Sequence, residues 1–299
     1  MRILPSVIRK FFFENIGTRQ VIIKNTFWLA LAEGVVQLLK LVLVVYMARF
    51  LGAEEYGKFS FALSFVCLLV VFAELGLPDI ITREFSQRKE AEQEFSSILS
   101  LKIFLSAGVF LVTMLCSFFI TKDTSIRISI WLLSVFILIT SFLNIVYAFF
   151  RARQKMDYES VVKIIQYATL TSISFLVLFT VPLAVNISYV YFFSNILVLA
   201  IALLFFHFFV VPLRLGYSRA IWQKFFHFSW PLTLGFVIGW IYVSTSSVIL
   251  GYLGYHQENG WYNAAYKIIS TFAISAILIS RSFLPVLSRL SLASKEKMQ

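Results

Sequence analysis

Two long apolar runs joined by a short polar segment dominate the start of this sequence. The runs occupy residues 26–48 and 59–78, and the segment between them, residues 49–57, reads RFLGAEEYG. Each run is long enough to cross the roughly 30 Å hydrocarbon layer of a bilayer as a helix. Because the connecting segment is short and polar, we expect it to be a turn at the membrane surface.

The same layout recurs along the whole chain. Hydrophobic residues make up 60% of the sequence and charged residues 14%, whereas soluble domains carry about 25% charged residues. The sequence therefore predicts an all-α fold, a polytopic membrane bundle of about eight transmembrane helices. The predicted spans are residues 26–48, 59–78, 98–120, 128–150, 161–182, 187–211, 229–251 and 264–287. The fifth and sixth spans are the least distinct pair, because only a few residues after Pro182 separate them.

The distribution of Lys and Arg predicts the orientation in the membrane. Most of these residues fall in alternate connections, whereas the opposite connections hold only Arg49, Lys58, Lys122 and Arg127. The positive-inside rule then places both termini in the cytoplasm and the protein in the cytoplasmic (inner) membrane. This bias also explains the net charge of +11, since no basic run follows a phosphate backbone and we expect no nucleic-acid partner.

Residues able to carry covalent or metal chemistry are scarce. Asp79, Asp123 and Asp157 are isolated, whereas carboxylates that hold Mg²⁺ in glycosyltransferases are usually paired. Cys67 and Cys116 lie within apolar runs, and the three histidines have no metal-ligand spacing. The sequence therefore predicts a protein that is not an enzyme, with no cofactor and no metal site.

Charged residues inside the predicted spans are the candidates for a functional site, because charges at membrane depth usually face a bundle interior or an aqueous cavity. Glu33 and Lys40 share one face of the first helix, and Arg281 enters the eighth. We hypothesise that Lys40 and Arg281 give a central cavity its positive charge while Glu33 holds one of them by an ion pair. A structural ion pair without a ligand is the alternative. Lys102 and Lys267 lie near span ends, where we expect them to snorkel to the interface.

Five segments together resemble the Wzx-like polysaccharide flippases of the multidrug/oligosaccharidyl-lipid/polysaccharide exporter superfamily. They are ARFLGAEEYGKFSFA at 48–62, ELGL at 74–77 with ITRE at 81–84, FRARQKMDYE at 150–159, GWYNAAYK at 260–267 and FLPVLSRL at 283–290. The resemblance implies a transporter that moves an oligosaccharide linked to undecaprenyl pyrophosphate across the lipid bilayer by alternating access. It also implies polysaccharide polymerase and chain-length proteins as partners.

The resemblance further implies two six-helix lobes with a cavity between them. Residues 1–25 are then a basic amphipathic cytoplasmic leader, although a disordered tail would also fit, and 26–211 form the first lobe. Residues 212–228 form a cytoplasmic inter-lobe loop, 229–287 the first two helices of a second lobe, and 288–299 a cytoplasmic tail. Family members usually have twelve to fourteen spans, so we expect this chain to be a fragment or to be completed by another chain.

Residue roles follow from the charged residues inside the predicted spans and from the resemblance. Substrate binding is assigned to Lys40, Arg281 and Glu33, and gating or structural roles to Arg49, Gly52, Glu74 and Arg83. A drug or metabolite antiporter of the same superfamily is an alternative function. An integral-membrane glycosyltransferase or polymerase is another, as is an inactive remnant with a role only in complex assembly.

Overall fold

A computed structural model describes residues 17–87, 92–209 and 216–271. These residues form eight helices and no strand, which confirms the all-α prediction. The helices are α1 (Thr18–Glu74), α2 (Leu77–Gln87), α3 (Glu92–Ile120), α4 (Thr124–Ala152), α5 (Met156–Thr180), α6 (Ala184–Phe209), α7 (Arg219–Tyr252) and α8 (256–271, where the described part ends).

Helix α1 is broken at one glycine. Its 57 residues would extend about 86 Å if straight, nearly three times the hydrocarbon thickness. Gly52, with φ 74° and ψ 172°, is the one residue inside it with non-helical torsions, and a positive φ is accessible to glycine without steric cost. Residues on both sides of Gly52 line the same cavity, so the chain folds back there into a first arm (18–51) and a second arm (53–74).

The polar segment at this bend is mostly helical, so the turn predicted over residues 49–57 is longer than the bend that the structure shows. Lys58 Nζ lies 2.9 Å from Glu54 Oε1 and 2.8 Å from Glu55 Oε1. Glu55 Oε2 also accepts a hydrogen bond of 2.9 Å from the backbone N–H of Ala184 at the start of α6. These charges therefore pair on the helix surface and attach the bend to α6. We call this side of the bundle the hinge end.

The second arm ends at Glu74, and Leu75 and Gly76 both adopt left-handed backbone torsions. Helix α2 follows and is amphipathic, with Ile81 and Phe85 buried and Arg83 exposed. The predicted connection 79–97 thus contains an additional helix at the end of the bundle opposite the hinge. Helix α7 likewise begins at Arg219, within the segment 212–228 that was expected to be a loop.

Six helical segments of the described residues are long and apolar enough to cross a bilayer. The first of them contains both arms of α1, which correspond to the first two predicted spans. Helices α5 and α6 are separate on either side of residues 181–183, so the two helices predicted around Pro182 are confirmed. The chain is a multi-pass membrane protein. Residues 1–16 of the predicted leader lie outside the described residues, and its last residues, from Thr18, form the beginning of α1.

A buried amide network joins the central helices. Asn195 Nδ2 donates to the Phe136 carbonyl oxygen at 2.7 Å and to Thr140 Oγ1 at 2.8 Å, and Gln166 Nε2 donates to Asn195 Oδ1 at 2.7 Å. Asn195 and Gln166 are almost fully buried. Since each group would otherwise be left unpaired in an apolar interior, the network fixes the relative positions of α4, α5 and α6.

Replacing Asn195 with Leu should destabilise the bundle by roughly 1–3 kcal/mol, because the buried Gln166 amide loses the acceptor of its hydrogen bond. The measurement is the thermal unfolding temperature of the purified chain in detergent. Gln257→Leu, the same kind of change at an exposed position, should leave that temperature nearly unchanged. Equal unfolding temperatures for Asn195→Leu and wild type would contradict the structural role of the network.

Candidate functional site

A cavity of about 260 Å³ lies between α1, α4, α5 and α6 on one side and α7 and α8 on the other. Both arms of α1 contribute to it. Its polar and charged lining residues are Lys40, Ser60, Ser64, Ser244, Asn263 and Lys267, and its larger aromatic ones are Tyr56, Phe59, Phe136, Tyr167, Tyr191, Trp240 and Tyr266. No described Asp or Glu lines it.

The two lysines give the cavity a net positive charge. Lys40 is half-buried on the first arm, and its Nζ lies 4.5 Å from the centroid of the Tyr167 ring, a distance typical of a cation–π interaction. Lys267 reaches the same cavity from α8. Among the described residues, no carboxylate lies within 4.0 Å of either ammonium group. Two like charges in a partly desolvated space favour an anion between them.

The aromatic wall of the cavity is held by ring-to-ring contacts. Tyr191 packs edge-to-face against Phe136, with ring centroids 4.9 Å apart, and against Phe59, with centroids 5.2 Å apart. Such contacts favour fixed ring orientations. The site therefore combines two positive charges with aromatic surfaces that are held by mutual contacts, a combination suited to a ligand that is both anionic and partly apolar.

At the hinge end of the cavity, the backbones of α8 and the second arm of α1 are in direct contact. A methyl group added at Gly57 would collide with the carbonyl oxygen of His256, and one added at Gly260 would collide with the carbonyl oxygen of Ala53. Asn259 is fully buried in this contact, and its Nδ2 donates to the Gly57 carbonyl oxygen at 2.9 Å. Small residues thus let α8 approach the second arm of α1 as closely as helices can.

Two further features support this contact. Asn263 Nδ2 donates to Ser247 Oγ at 3.0 Å and to Asn259 Oδ1 at 2.8 Å, which holds α8 against α7. Burial, together with nearby Lys58, lowers the pKa of His256 below its ordinary value. The imidazole is therefore neutral at neutral pH and adds no second positive charge beside Lys58.

Of the three predicted binding residues, the structure places one in the cavity. Lys40 lines it, whereas Glu33 is half-buried and its Oε1 accepts a hydrogen bond of 2.8 Å from Gln37 Nε2. No ion pair joins Glu33 to Lys40 within the described ranges, and a pair between Glu33 and Arg281 stays a prediction. Arg281 lies outside the described residues.

The four residues predicted to have gating or structural roles lie outside the cavity lining. Arg49 is exposed one turn before the bend, and Gly52 forms the bend itself. Glu74 Oε1 accepts a hydrogen bond of 2.9 Å from Asn144 Nδ2 at the end of the second arm. The side chain of Arg83 is 71% exposed and lies 3.8 Å from Glu84, so it makes little contact with the bundle.

The burial of Lys102 differs from the prediction. Lys102 was expected to snorkel, but its side chain is 0% exposed, and its Nζ donates to the Ala73 carbonyl oxygen at 2.7 Å and to Ser141 Oγ. It therefore stabilises the end of the second arm against α3 and α4. Lys267, which was expected to reach the interface, is exposed and also lines the cavity. Two polar residues within the fourth predicted span, Ser141 and Asn144, are the sequence signal that could have indicated a polar partner for Lys102.

The fold and the site define a class: a multi-pass, all-α membrane protein with a positively charged cavity between two groups of helices. The chain belongs to the family described as polysaccharide biosynthesis protein, whose family model matches residues 22–291. This match confirms the resemblance drawn from the sequence segments.

A curated relative is also similar. The protein described as "Putative O-antigen transporter" of Escherichia coli (strain K12) is 27% identical over 101 residues. The aligned part covers 34% of this chain and 24% of the relative, about a quarter of that protein's length. No solved structure gives a significant match.

Gly57→Ala should separate α8 from the second arm at the hinge end, because the added methyl group cannot occupy the position of the His256 carbonyl. The measurement is the distance, by electron paramagnetic resonance, between spin labels at Glu54→Cys and Glu258→Cys, with Cys67 and Cys116 replaced by Ser. We expect an increase of several ångströms. Gly34→Ala, where an added methyl group meets nothing within 4 Å, is the control. An unchanged distance in Gly57→Ala would contradict the close backbone contact.

Proposed function

We propose that this chain moves a lipid-linked oligosaccharide across the cytoplasmic membrane without any covalent step. The proposal rests on the family match and on the name of the curated relative. The carrier lipid expected from the resemblance is undecaprenyl pyrophosphate, and polysaccharide polymerase and chain-length proteins would act on the product. Both termini are proposed to be cytoplasmic, which places the hinge end at the outer surface.

The observation that carries the proposal is the meeting of Lys40 and Lys267 in one cavity without a described carboxylate. A pyrophosphate and its sugars cannot enter hydrocarbon without a large desolvation penalty. Two ammonium groups offset that penalty through charge-assisted hydrogen bonds, which are stronger than neutral ones. The Tyr and Trp side chains around them offer both apolar faces for sugar rings and polar groups for sugar hydroxyls.

The contact at the hinge end supports an alternating-access cycle. In the structure the second arm of α1 and α8 are in direct backbone contact at Gly57, at the hinge end of the cavity. Release on the outer side would require α8 to move away from the second arm, which breaks the Asn259 hydrogen bond to Gly57. Because the two surfaces are joined by backbone contacts and few side chains, they can separate as rigid units.

Lys40→Gln and Lys267→Gln should each reduce transport about tenfold or more, because each removes a charge-assisted bond worth about 1.5–3 kcal/mol to the pyrophosphate. The double variant should show none. The assay is the rate at which outer-leaflet glycan appears in cells that lack their own flippase, with membrane levels of each variant measured in parallel. Arg281→Gln tests the third predicted residue in the same assay.

Lys122→Gln, an exposed lysine between α3 and α4, is the matched control and should transport normally. Normal transport by the Lys40→Gln, Lys267→Gln double variant would overturn the assignment of the cavity. Extrusion of a small cationic drug by the wild-type chain, without glycan transport, would favour the antiporter alternative.

A further inference from the structure

A second and larger concave surface lies outside the cavity, between α3 and the first turns of α7. This groove has a volume of about 860 Å³, within the range of ligand-binding sites. Its walls are largely aromatic and apolar. The residues that line the groove include Leu101, Phe104, Tyr217, Phe226 and Trp230, with Trp222 between them and Arg219 at one end.

Trp222 forms the base of the groove, and its contacts hold it in place. Its Nε1 donates to the Ser97 carbonyl oxygen at 3.0 Å, which ties α7 to α3. Its ring centroid lies 5.6 Å from that of Phe104 and 5.0 Å from that of Tyr217. Two other aromatic side chains of the groove are exposed, Phe104 to 65% and Trp230 to 46%. The groove is therefore built on a rigid base and leaves large apolar side chains uncovered.

The position of the groove relative to the bilayer follows from its neighbours. Lys224 Nζ lies 3.6 Å from Glu84 Oε2 and 3.4 Å from Glu94 Oε2, and three charged groups together belong in the headgroup layer and not in hydrocarbon. Helix α7 has 34 residues and is about 51 Å long, so its first turns extend beyond the roughly 30 Å core. Trp and Tyr are typical of this interfacial level.

One end of the groove is positively charged. Arg219 is exposed, and no carboxylate of the described residues lies within 4.0 Å of it. It is the first residue of α7, and the side chain of Ser218 before it makes no capping hydrogen bond. The free N–H groups and the positive end of the helix dipole therefore add to the charge of the guanidinium group.

We propose that this groove binds a membrane phospholipid with an anionic headgroup. Its phosphate contacts Arg219 and the start of α7, and its glycerol and upper acyl chain lie on Trp222, Phe104 and Trp230. Arg219 and Trp230 are about 16 Å apart along the helix, which matches the distance from the headgroup layer into the upper part of one leaflet. Basic pockets between transmembrane helices are known to bind anionic lipid heads. This site is separate from the transport cavity and does not depend on the proposed function.

The test is native mass spectrometry of the purified 299-residue chain with phosphatidylglycerol and phosphatidylcholine that carry identical acyl chains. The wild-type chain should bind phosphatidylglycerol about fivefold more tightly, from one basic residue near an anionic lipid surface. Arg219→Gln should remove this preference while it keeps the weaker binding common to both lipids. Trp230→Ala should weaken the binding of both lipids. Trp261→Ala, which changes an exposed tryptophan on α8, should weaken the binding of neither.

Lys122→Gln is the charge control and should keep the preference for phosphatidylglycerol. Equal binding of the two lipids by the wild-type chain would overturn the proposal, as would equal losses in Arg219→Gln and Lys122→Gln. Displacement of the lipid by inorganic phosphate at millimolar concentration would show a site for a free anion instead. A lipid-insensitive dimer that Trp230→Ala dissociates would show that a second copy covers the groove.

Discussion

The cost of placing a charged group in hydrocarbon determines where each intramembrane lysine of this protein lies. A bilayer offers no water and no counter-ions to such a group, so it must face a cavity, pair with polar partners or reach the surface. Lys40 and Lys267 take the first course and share one cavity. Lys102 takes the second, with the Ala73 carbonyl and the Ser141 hydroxyl as acceptors. The same constraint thus produces both the candidate binding site and a tie that holds the bundle together.

The cavity exists because α8 touches α1 closely at one level and leaves space at another. At the hinge end, Gly57 and Gly260 have no side chains, and backbone meets backbone. Further from that contact, the bulkier Tyr266, Trp240 and Lys40 keep the helices apart. A contact made of small residues and one buried amide, Asn259, is also a contact that can separate without exposing a large apolar surface. The opening that the proposed transport cycle requires at this point would therefore place few demands on the rest of the fold.

The sequence predicted the helices well because membrane spans are read from long apolar runs, and the separation of α5 from α6 was visible despite a short connection. It predicted the bend less well. The polar residues Glu54, Glu55 and Lys58 suggested a turn, but they satisfy one another on a helix surface, and a positive φ at Gly52 alone reverses the chain. The structure places Lys40 in the cavity lining, and its role in binding stays a prediction. The burial of Lys102 was not predicted, because position along a span indicates depth but does not show which neighbours a side chain meets.

The central claim is that the cavity between α1 and α8 receives the anionic head of a lipid-linked oligosaccharide. The most direct measurement replaces Trp240, which lines this cavity, with a photo-crosslinking amino acid and identifies the crosslinked lipid by mass spectrometry. We expect a crosslink to the lipid-linked oligosaccharide at Trp240 that disappears when Lys40 and Lys267 are both changed to Gln. A crosslink of equal yield at Trp261, outside the cavity, or one at Trp240 that persists without both lysines, would contradict it.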